Sequence, residues 1–335
     1  MKIIFKILKV GSGSDIYFKR LKNSLESNGV KVRVKYFNKV FQYFPFLMKF
    51  FDDNEEADII HSSVEYGWVF KKPNNKLIST LYHNVFEKYY FNKTSFVQKL
   101  YYLIILRPNI KKTLKVSEAN IAISKFTKRS FSETFKCKNI QIIYPGIDLS
   151  SYKIIKTKKV NKLFQLLFVG NLINRKGADL LPKIMKLLGN EYVLYYTSGL
   201  RTKPPSNFSL PNMIRLGKLS EEELIRKYNE CDVLLAPSRL EGFGYQIAEA
   251  MACGKPVIAA NCSSLPELII NNKGGFLCEI DNVNDFVEKI KILSENKYLM
   301  KKMGLFNRLR IIEEFDFKKI GKEYQQMYNR LINHA

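Results

Sequence analysis

The sequence predicts an α/β protein with two domains, each built on a parallel sheet that carries helices on both faces. Three observations predict this. The chain has 335 residues, enough for two domains of ordinary size. Short apolar segments alternate with amphipathic ones in both halves, as in chains that form parallel sheets with crossover helices. A polar, lysine-rich stretch at 150–162 separates the two series and has the composition of a linker.

The first series begins with strand-like segments at 2–10 and 30–37, which flank a helical stretch at 15–28. Further short apolar segments predict strands at 57–61, 76–82, 120–123 and 141–143. These elements make up the first predicted domain, which covers 1–155.

The second series predicts a helix at 245–253 and a second domain at 160–316, followed by one more helix at 317–333. Its strands are predicted at 163–170, 192–197, 213–216, 233–236, 256–260 and 275–278. Ligands of such domains bind at the carboxyl ends of the strands. We therefore expect the active site in a cleft where the two domains face each other.

Positive charge is concentrated in the first half. Residues 1–160 hold 30 Lys+Arg and 12 Asp+Glu, a net +18, whereas residues 161–335 hold 25 and 19, a net +6. Such a field attracts nucleic acid, an anionic membrane or an acidic substrate. The alternative is a compositional bias of a chain rich in Lys, Asn, Ile, Tyr and Phe, although bias alone does not explain the asymmetry.

Cysteine usage and hydropathy indicate a cytoplasmic protein. The five cysteines are scattered, odd in number and without a CxxC pair, so neither a disulfide framework nor a zinc site is expected. Segment 1–10 runs into a glycine-rich turn and is interpreted as a strand, not as a signal peptide. The longest apolar run, Leu100–Leu106, is far shorter than the ~20 residues of a membrane-spanning helix.

The strongest site candidate is the segment EGFGYQIAE at 241–249, which follows an apolar strand. Its glycines allow the backbone to approach a ligand. The helix predicted to start near Gly244 offers N–H groups and a partial positive charge to a phosphate. Glu249 can accept two hydrogen bonds from a sugar diol, and Glu241 can reach a second polyol. Two solvated acids beside a simple turn are the alternative.

A second candidate is the loop GNLINRKG at 170–177. Arg175 and Lys176 are adjacent cations at the end of a predicted parallel strand, just before a helix. This arrangement suits a diphosphate, although such a pair taken alone is more often solvated surface.

Two candidates lie in the first domain. Gly13 belongs to the GSGS turn after the first strand, where the GxGxxG pattern fails because Ile16 occupies the third glycine position. A nicotinamide site is therefore disfavoured, and the turn offers either backbone N–H groups to a cleft or no more than a tight turn. His83 ends a predicted strand, as does His61, and a lone histidine is more often structural.

Two further segments combine aromatic, aliphatic and basic residues, at 36–51 and 96–115. A basic and aromatic surface of this kind suits the bilayer interface. Burial of both segments in the core is the alternative.

Together these motifs resemble the donor signature of retaining glycosyltransferases of family 4. The resemblance is carried by PSRLEGFGYQIAEAMACGKPVIA and FVGNLINRKGADLL, with IAISKFTKRSF, IQIIYPGID and GGFL in the same order as in the family. It is strong over 119–280 and weaker before. It implies the GT-B fold, with two Rossmann-like domains facing each other across a cleft. The donor then binds mostly in the second domain, the acceptor in the first, and the helix 317–333 packs back on the first.

The resemblance also implies roles for residues of the second domain. Glu249 matches the glutamate that binds the nucleotide ribose, and Glu241 matches the one that contacts the hydroxyls of the transferred sugar. Lys176 matches the diphosphate lysine, with Arg175 beside it. Phe243 and Gly244 match the loop whose backbone meets the sugar and phosphate.

Other positions match less well. Many family members carry an arginine directly after the strand glycine, where this chain has Asn171. Part of the usual diphosphate charge is thus missing, and Arg175 is expected to compensate. Gly13 resembles the glycine loop of the first domain that faces the donor. His83 aligns with the histidine that often faces the transferred sugar.

The expected function is that of a hexosyltransferase that moves a sugar from a nucleotide diphosphate sugar, with retention, to a glycan or lipid-linked acceptor in cell-surface polysaccharide or lipopolysaccharide biosynthesis. No Asp-x-Asp motif occurs, so neither a metal nor another cofactor is expected. The basic first half favours peripheral binding to the anionic inner leaflet and not to nucleic acid. The alternatives are another GT-B enzyme, such as a phosphorylase or nucleotide-sugar epimerase, and a basic nucleic-acid-binding protein.

Overall fold

The computed structural model describes residues 1–333 except 12, 54, 158–161, 199–207 and 209. Ser12 of the glycine turn, part of the polar linker and the third histidine, His334, therefore lie outside the described residues. The chain divides into two compact units. Unit 1 comprises residues 1–146 and 317–335, and unit 2 comprises residues 147–316.

Unit 1 is built on a six-stranded sheet of order β2-β1-β3-β4-β5-β6, in which every neighbouring pair is parallel. The strands are β1 (Ile3–Lys9), β2 (Val32–Asn38), β3 (Ile59–Ser63), β4 (Lys76–Leu81), β5 (Ala119–Ala122) and β6 (Ile140–Ile142). The helices that precede unit 2 are α1 (Gly13–Ser27), α2 (Lys88–Asn92), α3 (Phe96–Tyr101), α4 (Arg107–Val116) and α5 (Lys125–Phe135). The central strands are buried along their length, as apolar strands covered by helices on both faces must be.

Unit 2 repeats this architecture with a six-stranded parallel sheet of order β12-β11-β10-β7-β8-β9. The strands are β7 (Phe164–Phe168), β8 (Tyr192–Thr197), β9 (Met213–Gly217), β10 (Val233–Ala236), β11 (Val257–Ala260) and β12 (Gly275–Cys278). The helices are α6 (Leu181–Leu188), α7 (Glu221–Glu230), α8 (Tyr245–Ala252), α9 (Leu265–Leu268), α10 (Val283–Glu295) and α11 (Lys297–Glu314). The predicted α/β class with two parallel sheets is confirmed.

The last helix, α12 (Phe317–Asn333), belongs to unit 1 and packs on α1. A buried polar cluster joins it to the sheet. The His61 imidazole contacts the Tyr328 hydroxyl at 2.7 Å through Nδ1 and the Thr80 hydroxyl at 2.7 Å through Nε2. The Tyr17 and Tyr324 hydroxyls bond to each other beside it. Burial lowers the pKa of His61 to about 3, so this histidine is a neutral, structural residue.

The order of strands defines one switch point in each unit, where the chain changes the side on which it adds strands. In unit 1, β2 lies on one side of β1 and β3 on the other. In unit 2, β8 lies on one side of β7 and β10 on the other. In open α/β sheets, ligands bind in the crevice beyond the carboxyl ends of the strands at such a point.

The two aromatic and basic segments of unit 1 lie on its surface and contact each other. The Tyr43 and Tyr101 rings are 5.5 Å apart, and the Tyr101 hydroxyl donates to the Gln42 carbonyl oxygen at 3.2 Å. We call the following exposed residues the aromatic surface: Tyr36, Val40, Tyr43, Phe44, Phe46, Phe50, Phe51, Phe96, Val97, Leu100, Leu103 and Ile104. Their exposed fractions run from 43% to 80%, so these residues lie outside the core of unit 1. Other residues of the same two segments are buried in that core: Phe37, Met48, Ile110 and Leu114. Among the helices described, none is long and apolar enough to cross a membrane.

Candidate functional site

The loops after β7 and β10 are joined at the switch point of unit 2. The Arg239 N–H donates to the Arg175 carbonyl oxygen at 2.8 Å, and the Arg175 guanidinium donates to the Leu240 carbonyl oxygen at 2.7 Å. Gly177 has a φ of +66°, and a β-carbon there would collide with the Pro237 backbone. Glycine is therefore required for the two loops to approach this closely.

Glu241 and Lys176 form an ion pair between these loops. The Lys176 ammonium donates to Glu241 Oε1 at 2.5 Å, and Arg175 Nη1 lies 3.5 Å from Oε2 of the same carboxylate. The Ser238 hydroxyl and the Gln246 amide also donate to Oε1, at 2.9 and 3.0 Å. The local charge of these three ionised side chains is +1, so the group retains an attraction for an anion.

Burial and charge act in opposite directions on this ion pair. Burial alone would raise the pKa of Glu241, but Lys176 and Arg175 outweigh it and hold that pKa at about 2. Burial lowers the pKa of Lys176, while Glu241 opposes that shift and Arg175 adds to it. Glu241 is thus ionised at neutral pH and remains a hydrogen-bond acceptor only. Both cations of the loop face this one carboxylate in the free protein.

Arg239 holds the loop 170–177 in place, a role that the sequence analysis did not predict. Its guanidinium forms two bonds to the Asp179 carboxylate, at 2.6 and 2.7 Å, and one to Asp281 Oδ1 at 2.6 Å. It also donates to the Asn174 carbonyl oxygen at 2.5 Å. Two of these partners flank Lys176 in the chain and the third lies more than 100 residues further on, so one buried arginine fixes the loop that carries Lys176. The sequence segment PSR locates Arg239 directly after β10. Its role could not be predicted, because Asp179 and Asp281 are 60 and 42 residues away in the chain.

Glu249 lies in α8. Gln246, in the first turn of this helix, donates to the Glu241 carboxylate, so the N-terminus of α8 is close to Glu241. The Tyr228 hydroxyl, fully buried in α7, donates to Glu249 Oε2 at 2.6 Å. Burial, reinforced by the Glu249 charge, raises the pKa of Tyr228 well above its usual value. Tyr228 therefore stays protonated and orients the carboxylate. Sequence reasoning missed it, because a tyrosine in an amphipathic helix is indistinguishable from core.

The loop between Glu241 and α8 has the conformation that its glycine requires. Gly244 is the residue before α8 and has a φ of +97°, which L-residues avoid. A β-carbon at Gly244 would approach Leu265 to 3.2 Å. Phe243 is buried and packs its ring against Tyr245 and Phe315. Its side chain supports the loop from within, which leaves only its backbone to meet a ligand.

The two remaining predicted site residues lie in unit 1. Gly13 is the first residue of α1, and a β-carbon there would meet nothing within 4 Å. The fold of unit 1 therefore shows no local need for glycine at that position. His83 is half-buried and follows β4 by two residues, at the carboxyl edge of the sheet.

Within the described part of the chain, no group of three or more His, Cys, Asp or Glu side chains could hold a metal ion. The groups that unit 2 brings together at its switch point are a lysine, an arginine, two carboxylates and a helix N-terminus. Such a set can neutralise phosphate charge and bind hydroxyl groups.

Two family models cover most of the chain. Residues 29–151 match the model described as glycosyltransferase family 4, and residues 152–310 match that of glycosyl transferases group 1.

Relatives of known name agree with this. An uncharacterised glycosyltransferase of Methanocaldococcus jannaschii is 33% identical over 219 residues, which cover 64% of this chain and 60% of that protein. The match thus spans less than two thirds of this relative's length. The N,N'-diacetylbacillosaminyl-diphospho-undecaprenol α-1,3-N-acetylgalactosaminyltransferase of Campylobacter jejuni is 29% identical over 116 residues, covering 35% of this chain and 31% of that protein.

Solved structures share the fold at low sequence identity. Sucrose-phosphate synthase of Thermosynechococcus elongatus covers 100% of both chains with a TM-score of 0.85 at 19% identity. The Anabaena protein HepE, solved in complex with UDP-glucose, covers 98% of this chain and 100% of its own, with a TM-score of 0.77 at 17% identity.

Two units with parallel six-stranded sheets, together with these structural neighbours, define the GT-B fold. The matched models place the protein more narrowly: the chain belongs to the GT-B glycosyltransferases of family 4.

Proposed function

We propose that the protein is a retaining hexosyltransferase that uses a nucleotide diphosphate sugar as its donor. The observation that supports this most is the contact of Lys176 and Arg175 with Glu241 at the switch point of unit 2. A diphosphate draws the two cations to itself, and Glu241 is released to bind the hydroxyls of the sugar. Glu249, oriented by Tyr228, binds the ribose diol.

In the proposed reaction, the acceptor hydroxyl attacks the anomeric carbon on the face from which the diphosphate leaves. The bond from that carbon to the phosphate oxygen breaks, the bond to the acceptor oxygen forms, and the hydroxyl proton passes to the leaving diphosphate. Lys176, Arg175 and the N-terminus of α8 stabilise the charge that develops on the diphosphate. Because these groups supply that charge, we propose that no metal is needed and that EDTA leaves the rate unchanged.

We further propose that the acceptor is a glycan on a membrane lipid, as in the synthesis of cell-surface polysaccharides, and that unit 1 rests on the inner leaflet of the cytoplasmic membrane. The aromatic surface supports this, since it combines exposed rings with nearby lysines such as Lys39, Lys49 and Lys99. The Campylobacter relative is named for a polyprenyl-diphosphate acceptor.

Sedimentation with vesicles tests the membrane proposal. We expect binding to phosphatidylglycerol vesicles at low salt, weaker binding at high salt, and little binding to phosphatidylcholine. The double variant Phe50→Ser/Phe96→Ser, which removes two of the most exposed rings, should bind less, whereas Tyr298→Ser, at an equally exposed site in unit 2, should bind as wild type. Failure of wild type to bind anionic vesicles would refute peripheral membrane binding.

Release of nucleotide diphosphate tests the activity itself. Wild type and Glu249→Ala are incubated with UDP-, GDP- and ADP-sugars, with and without a bacterial lipid extract. We expect release from one donor, faster with lipid and lost in the variant. Product NMR then reports the anomeric configuration, and inversion would contradict the proposed mechanism. Release of nothing from any donor would contradict glycosyl transfer.

A further inference from the structure

The switch point of unit 1 has the topology of the donor site but a different set of side chains. The turn after β1 is closed by Asp15, whose carboxylate accepts from the Gly11 and Val10 N–H groups at 2.6 and 3.4 Å. Glu65 follows β3, the strand on the other side of the switch point. Asp15 is occupied by the turn, which leaves Glu65 as the second carboxylate of this crevice.

Glu65 differs from Glu241 in its partners. The Ser63 hydroxyl donates to its Oε2, and in the described part of the chain no lysine, arginine or histidine forms an ion pair with it. Its side chain is half-buried, and burial raises the pKa of its carboxyl group above the usual value. A carboxylate in this state is costly unless it gains a further hydrogen-bond donor.

Glu65 lies near Tyr101, which contacts the aromatic surface. Burial chiefly, and the Glu65 charge in addition, raise the pKa of Tyr101 to about 12. Tyr101 in turn packs on Tyr43, which belongs to that surface. The hydroxyl of Tyr66, the residue after Glu65, accepts from the Leu8 N–H at the end of β1. Glu65 is thus near Tyr101, and its neighbour in the chain contacts the strand at the switch point.

We propose that Glu65 binds a hydroxyl group of the acceptor glycan and helps to select the acceptor. This inference rests on the proposed function and deepens it. The chemistry that fits is a neutral sugar hydroxyl, which donates to the carboxylate. An anionic group would be repelled by Glu65 and Asp15, in contrast to the diphosphate that fits unit 2. A lipid seated on the aromatic surface would present its first sugars to this residue.

The test compares Glu65→Gln with wild type. Glutamine keeps the size of the side chain and an oxygen for the Ser63 hydroxyl, but it removes the charge that strengthens a bond from a sugar hydroxyl. The matched control is Glu26→Gln, a surface carboxylate of unit 1 paired with Lys22 at 3.5 Å. The acceptor probes are octyl glucoside, octyl galactoside and octyl N-acetylglucosaminide, below their micelle concentrations. Trp68, the single tryptophan and three residues from Glu65, reports binding by its fluorescence.

We expect at least one glycoside to change Trp68 fluorescence in wild type and in Glu26→Gln. The dissociation constant should rise about tenfold in Glu65→Gln, and the acceptor KM with it, while the KM for the nucleotide sugar stays within about twofold. Equal binding by Glu65→Gln, or no binding of any glycoside by wild type, would overturn the inference. If no donor releases its nucleotide even in wild type, the proposed function fails instead, and the binding titration still decides the role of Glu65.

Discussion

The two units of this protein share a topology and differ in the chemistry at their switch points. In unit 2 the loops after β7 and β10 bring Lys176 and Arg175 onto Glu241, which gives a compact site with a net positive charge. In unit 1 the corresponding loops carry Asp15 and Glu65, with no cation paired to Glu65 in the described residues. In our proposal, one architecture therefore provides one crevice that takes an anion and another that takes hydroxyl groups.

If both proposals hold, a repeated fold supplies two functions in this chain. The parallel sheet fixes where two loops meet, because the carboxyl ends of neighbouring strands share an edge. It does not fix which side chains those loops carry. The buried groups deeper in unit 1, around His61, are joined only to one another and to α12, and they serve stability.

The largest effect should come from removing the cation of unit 2. Lys176→Ala deprives the leaving diphosphate of its nearest ammonium group, and we expect the rate of nucleotide release to fall about 10²–10³-fold. Lys183→Ala, an exposed lysine of α6, is the control and should retain the wild-type rate. If Lys176→Ala releases nucleotide at a rate within threefold of wild type, the proposed role of the unit 2 crevice in binding the diphosphate is contradicted.

A smaller loss of activity is expected when the hydrogen bonds of Arg239 are weakened. Arg239→Lys keeps the charge but cannot form the fork to Asp179 or reach Asn174 and Asp281 together. We expect a loss of about 2–3 kcal/mol in the free energy of unfolding and about a tenfold lower kcat/KM. Thermal melting and steady-state kinetics measure the two. Arg226→Lys, an exposed pair with Glu230, should change neither.

The pH dependence of stability distinguishes the buried groups of the two units. The folded pKa of His61 is about 3, below the ~6.5 of an unfolded histidine, so the unfolded state binds more protons below pH 6.5. Its contribution is complete above pH 6.5 and is lost as pH falls, by about 2 kcal/mol between pH 7.5 and 5. Glu241, with a folded pKa of about 2, contributes losses only below about pH 4.5.

Urea unfolding at stepped pH values checks this. Wild type should lose stability from pH 6.5 downward, and His61→Gln, although less stable at pH 7.5, should show a flatter profile between pH 7.5 and 5. Identical slopes in the two proteins would mean that His61 is not held neutral in unit 1.

The smallest effect concerns Glu249, the carboxylate that we propose for the ribose. Tyr228→Phe removes the hydroxyl that donates to Glu249 and orients its carboxylate. We expect this to weaken the binding free energy of the nucleotide sugar by about 1 kcal/mol. We expect the KM for the nucleotide sugar to rise about three- to tenfold with kcat changed less than twofold. Tyr192→Phe, which removes a hydroxyl that contacts Ser294 at 2.9 Å, serves as control. A fall in kcat with KM unchanged would place Tyr228 in the chemical step instead.

The local sequence pattern was sufficient to predict the strands of both sheets and the loop that contains Gly244. Each of these depends on short-range periodicity or on turn chemistry. The charged residues at 175–176 and 241 could be proposed as a site because each follows a predicted strand. That β7 and β10 are neighbours is a long-range fact, however, and only the structure brings Lys176 to 2.5 Å from Glu241.

Other features could not be predicted for the same reason. Arg239 gains its role from Asp179 and Asp281, which are 60 and 42 residues away. Segment 36–51 has a composition equally typical of a core and of an exposed interface, and the structure divides it between the two: Phe37 and Met48 are buried, whereas Phe50 and Phe51 are exposed. Glu65 attracted no notice in the sequence, because a single carboxylate after a strand is ordinary until its partners are known.

The central claim is that the switch point of unit 2 binds a nucleoside diphosphate through Lys176. Calorimetric titration with UDP, GDP and ADP tests it most directly, because it needs neither the sugar nor the acceptor. We predict that wild type and Lys183→Ala bind one of the three and that Lys176→Ala binds it at least tenfold more weakly. Equal affinity in Lys176→Ala, or no binding of any diphosphate by wild type, would contradict the claim.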